Sequence, residues 1–110
     1  MRPLEIKESD WKTLRRLKPV ALERLCKRVL DAIDSVQQDS TRTFHQRYLD
    51  IYRIVEQRDR EMASLFNDVR RSNAMMRLAL MRSSGLLEES EIASFSEETR
   101  AAIAFRTEPT

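Results

Sequence analysis

Turn-forming residues are scarce in this sequence. It contains one glycine and three prolines, where average usage is roughly 7% Gly and 5% Pro. An all-β sandwich or barrel needs turn residues between many short strands, so that class is excluded. A single glycine also leaves no glycine-rich loop to cradle a phosphate. With one cysteine and one histidine, one chain can form neither an internal disulfide nor a Cys/His zinc site. Long apolar runs are missing too. The most apolar stretch, 74–81, is interrupted by Arg77 and falls far short of the roughly 20 residues that span a bilayer. Residues 1–10 lack the apolar core of a secretory signal. No membrane span is expected, and the lack of paired cysteines agrees with a cytoplasmic location.

What is present favours helix. The 110 residues are 41% hydrophobic and 35% charged, with 20 Lys+Arg balanced by 18 Asp+Glu. This composition predicts a soluble all-α protein with a single helical domain over 1–105 and a frayed tail over 106–110. Ser9 and Asp10 can accept from free N–H groups at a helix start, ahead of Trp11, Leu14 and Leu17. Pro19 should end this first helix, at about 10–17, because a proline displaces the preceding residue from the α region. A second helix at about 19–37 then carries Leu22, Leu25, Cys26, Val29, Leu30, Ile33 and Val36 at steps of three and four.

After the turn residues Asp39, Ser40 and Thr41, no Gly or Pro occurs until Gly85. Phe44, Tyr48, Ile51, Val55, Arg58, Met62, Leu65, Val69, Ser72, Met76 and Ala79 step alternately by four and three, a coiled-coil-like seam. The spacing predicts one very long helix over about 41–83, with Ser84 and Gly85 as its stop. Two short helices follow at about 88–94 and 97–105. Leu86, Leu87, Ile92, Phe95, Ile103 and Phe105 anchor them, and Ser94 competes with Ser96 as a cap. The expected fold is a helical hairpin with short N- and C-terminal helices, assembled as a dimeric helical bundle.

The dimer follows from length. A helix of this span would be about 64 Å long, and its predecessor covers less than half of it. Residues 62–81 would keep an apolar surface, which marks an interface. An antiparallel homodimer is therefore expected, with Met62, Leu65, Phe66, Val69, Met76 and Leu80 in its interface. The polar stretch 56–61 breaks the seam at Arg58, either as a solvated stretch of the long helix or as a layer that sets register between two chains. Phe44, Tyr48 and Tyr52, spaced four apart, read as packing between the second and third helices.

Charge supplies the alternative. Residues 1–85 hold 18 basic and 12 acidic groups, and residues 86–110 hold 2 and 6. The excess is concentrated in Lys12, Arg15, Arg16, Lys18, Arg24, Lys27 and Arg28. This patch can contact nucleic-acid phosphates or an anionic surface, or it can be neutralised by Glu88, Glu89, Glu91, Glu97 and Glu98. No aromatic–basic interleaving accompanies it. Catalysis has little to build on. His45 has no marked nucleophile or carboxylate partner, Asp31 and Asp34 read as a solvated face, and Cys26 reads as a small apolar residue. The sequence thus predicts no catalytic, metal or cofactor residues. Its leading reading is a non-catalytic, self-associating helical interaction protein, a small adaptor or regulatory subunit. The alternative is a nucleic-acid-binding helical protein using the 12–28 patch.

Overall fold

In the computed structural model, which describes residues 5–107 and side chains as far as Ala104, the N-terminal segment forms one helix rather than two. Helix α1 (Glu8–Gln37) runs through Pro19 without a break. Proline lacks an N–H and clashes with the preceding turn, a local cost of about 3 kcal/mol. Packing outweighs that cost, because Leu14, Leu17, Ala21, Leu25 and Val29 are all buried along one side of α1. Asp10 does not cap α1. The helix begins ahead of it, after Lys7.

The turn at Asp39–Thr43 is built as the side chains there suggest. Asp39 accepts from the Thr41 backbone N–H at 3.1 Å. Thr43 and Gln46 form a reciprocal capping box that opens helix α2 (Phe44–Phe66). The expected continuous helix over 41–83 is instead divided into pieces. Asn67 is extended, and Asp68 takes a left-handed φ of 53°. A single 3-10 turn (Arg71–Asn73) and helix α3 (Ala74–Ser83) follow. Asn73 secures the break by accepting from the Arg70 N–H and donating to the Asp68 carbonyl, each at 2.8 Å.

Helix α3 stops where expected. Gly85 has φ 70°, its N–H bonds the Arg82 carbonyl at 2.9 Å, and the Leu86 N–H bonds the Met81 carbonyl at 3.0 Å. That pair of bonds is a Schellman stop, which needs a left-handed residue at Gly85. Helices α4 (Glu89–Ile92) and α5 (Glu97–Thr107) complete the chain. Ser96 rather than Ser94 serves the start of α5, where its hydroxyl accepts from Thr99 N–H at 3.4 Å. Helix α5 includes the first two residues of the expected frayed tail; 108–110 lie outside the described residues, as does the side chain of Phe105.

Helix α3 packs on α5 and also touches α1 and α2. The core gathers Leu14, Leu17 and Leu25 of α1, Leu65 and Phe66 at the end of α2, and Met75, Leu78 and Met81 of α3. Leu86, Phe95 and Ile103 close it from the C-terminal segment. The other half of the α1–α2 hairpin projects from this core as an arm. The molecule measures 54 × 28 × 27 Å, with a radius of gyration of 16.9 Å, against about 13 Å for a compact domain of this size.

Candidate interaction surfaces

From Leu30 to Ser64 no side chain is buried. The arm is thus two antiparallel helices with no third layer, although it is rich in apolar residues. Ile33, Val36, Ile51 and Ile54 are half-buried between the helices. Phe44 is 84% exposed, Tyr48 65%, Tyr52 58%, Val55 48% and Leu30 64%. The expectation that the aromatic stripe packs between the hairpin helices is therefore corrected.

Helical phase gives the reason. At about 100° per residue, Phe44, Tyr48, Tyr52 and Val55 lie within about 80° of one another. Tyr52 follows the inward Ile51 by one residue, as Leu30 follows the inward Val29. In an antiparallel pair, equal turns away from the contact line bring both helices' residues to the same face. The stripe and Leu30 consequently form one apolar face of the arm. Its edge is polar: the Arg47 guanidinium lies 4.6 Å from the Phe44 ring centre, and Arg42 makes a two-bond pair with Asp50 at 2.6 and 3.1 Å.

The residues assigned to a dimer contact at 62–81 are divided. Leu65 and Phe66 are buried inside the chain's own core. Met62 and Val69 are half-buried against that core. Only Met76 and Leu80 are exposed. The break at 67–70 lets α3 pack on α5, so the chain itself supplies much of the cover assigned to a second copy. Arg58 at the seam pairs with Glu61 at 2.6 Å within α2.

The basic patch is divided as well. Arg24 binds Glu91 through two bonds of 2.6 and 3.0 Å, approaches Glu88 at 3.4 Å and donates to the Leu86 carbonyl at 2.9 Å. The guanidinium of Arg24 holds the Glu91 carboxyl below its ordinary value, against the opposing effect of burial. Arg28 donates to the Ser84 and Gly85 carbonyls, each at 2.6 Å, at the end of α3. Lys27 pairs with Asp31 at 2.8 Å. The acidic C-terminal segment thus neutralises part of the patch within the same chain. Among the described residues, Lys12, Arg15, Arg16 and Lys18 form no ion pair within 4.0 Å, although the charges of Lys12 and Arg15 help to lower the Glu8 carboxyl.

The remaining candidate residues stand apart. His45 is exposed at the first turn of α2, and Cys26 is half-buried. Asp34 accepts from the Gln38 amide at 2.9 Å. Among the described residues, no group of three His, Cys, Asp or Glu is placed to hold a metal ion, and no helix is long and apolar enough to cross a membrane. No protein-family model matches the chain, and no curated protein or solved structure matches it significantly.

Proposed function

We propose that this is a non-catalytic helical interaction protein that self-associates through the aromatic face of its arm. The observation carrying the reading is an arm without a buried side chain from Leu30 to Ser64, beside an exposed row of Phe44, Tyr48, Tyr52 and Val55. Burying apolar surface contributes about 25 cal/mol per Å², and the arm alone collects little of it. Stacking two arms about a two-fold axis makes a four-helix bundle in which the same patch serves both copies. The three aromatics leave about 400 Å² per chain open to water. With Leu30, Val55 and their flanks, two copies bring together on the order of 1,200 Å², the lower end of a standard specific interface.

Sedimentation equilibrium tests this reading. The wild type should approach twice the chain mass of 13.0 kDa at micromolar concentrations. The double variant Tyr48→Glu, Tyr52→Glu should stay monomeric with its helicity intact, because both side chains already face water. A wild type that stays monomeric throughout that range rejects the proposal. Nucleic-acid binding by the 12–28 patch has a narrower base than the sequence alone suggests, since Arg24, Lys27 and Arg28 are engaged within the chain.

A further inference from the structure

Two cations of the basic patch, Arg15 and Lys18, line a cleft of about 280 Å³ together with Trp11, Leu14 and Val69. Trp11, Arg15 and Lys18 follow one another at i, i+4 and i+7, so α1 presents them on one face. The break between α2 and α3 supplies the opposite wall, because it releases Val69 from helix and sets it against the core. Leu14 is fully buried at the cleft, while Trp11 and Val69 are half-buried. The Arg71 guanidinium lies 5.1 Å from the Trp11 ring centre and is held there by Glu8 through bonds of 2.9 and 3.2 Å.

We infer that this cleft binds an acidic peptide, taking one aliphatic side chain between Trp11 and Val69 while Arg15 and Lys18 pair with the flanking carboxylates. Lining and charge both point to this occupant. Trp11, Leu14 and Val69 give the cleft an apolar floor that suits an aliphatic side chain. Arg15 and Lys18 on its wall attract an anion, the nearby Glu8 is bound to Arg71, and the chain's own Glu88 and Glu91 are committed to Arg24. A nucleic-acid base is a poorer fit. Arg71 already stacks on Trp11, and the other apolar walls, Leu14 and Val69, are aliphatic and offer no stacking platform.

Trp11 is the only tryptophan, so its emission reports on the cleft directly. The full-length protein is titrated with an unlabelled peptide of alternating Glu and Ala carrying one central Leu, and with its twin carrying Ala at that centre. The Leu peptide should bind about tenfold tighter than the Ala twin, shift the Trp11 emission, and weaken as salt is raised. The variant Arg15→Glu, Lys18→Glu should lose binding with unchanged circular dichroism. The arm variant Tyr48→Glu, Tyr52→Glu should bind as wild type does, which separates this result from the fate of the dimer. Absence of binding, equal affinity for the two peptides, an unmoved Trp11 emission, or tighter binding of duplex DNA or of anionic vesicles at the same salt each overturns the inference.

Discussion

Asp10 shows how one residue's role is set by a partner distant in sequence. It is 2% exposed and accepts from the Ser96 N–H at 2.9 Å, the Ser96 hydroxyl at 2.6 Å and the Thr99 hydroxyl at 2.7 Å. It thereby fastens the start of α1 to the start of α5. Burial pushes its carboxyl up, but the bonds from Ser96 and Thr99, together with the charge of Lys7, hold it below the ordinary value. A carboxylate lowered in this way stabilises the fold above its unfolded pKa of about 3.9. That contribution is lost as pH falls through the lower folded value. Asp10→Asn should therefore cost about 2 kcal/mol at pH 7, since three donors lose a charged acceptor. It should also flatten part of the acid limb of stability. Urea melts at neutral and acid pH check both expectations; an acid limb identical to wild type would place the dependence elsewhere, for instance at Glu91. Ser9 and Asp10 are legible in the sequence only as a helix start, because the partner lies 86 residues away.

At the scale of elements, glycine and proline misled in both directions. Pro19 reads as a stop, yet α1 continues through it, since a buried face contributes more than one proline costs. The segment 67–73 lacks both residues and reads as helix, yet it holds the break. The signal there was capping chemistry. Asn67, Asp68, Ser72 and Asn73 all compete with the helix for backbone hydrogen bonds, and Asn73 does so at both ends. Asp68 occupies the left-handed region, where a side chain costs roughly 1 kcal/mol that glycine avoids. Asp68→Gly should accordingly raise stability by up to about 1 kcal/mol, read as a higher urea midpoint at unchanged slope. A lower midpoint would mean that the Asp68 carboxylate, 3.8 Å from Arg70, matters more than backbone strain.

For the whole molecule, stability should be uneven. The core half holds the buried residues of α1, α3 and α5, whereas the arm has none between Leu30 and Ser64. Local opening follows burial. Amides of 44–60 should exchange quickly in dilute protein and slow markedly as concentration rises, while those of 74–81 stay protected throughout. Hydrogen exchange followed by mass spectrometry at two concentrations checks this. Arm amides indifferent to concentration would argue against the four-helix assembly. The same division explains why little of 62–81 is open to a partner: Leu65 and Phe66 are buried in the chain's own core, and the aromatic row of the arm is the more exposed apolar surface.

By itself the sequence determined the helical class, the hairpin turn at 39–41, the Gly85 stop, the two C-terminal helices and the attraction between the basic patch and the acidic segment. Each of these depends on local propensity, on spacing at three and four residues, or on the sign of charge. Only the tertiary structure decided which apolar faces are covered. Phe44, Tyr48, Ile51 and Val55 share one seam, but α1 takes the Ile51 side and leaves the aromatic side open. Periodicity states that a helix has an apolar face; it does not state what lies against it. That depends on where the chain bends, and the bend at 67–70 sent α3 back onto α5, filling the core, bringing Val69 to Trp11, and leaving the arm without cover.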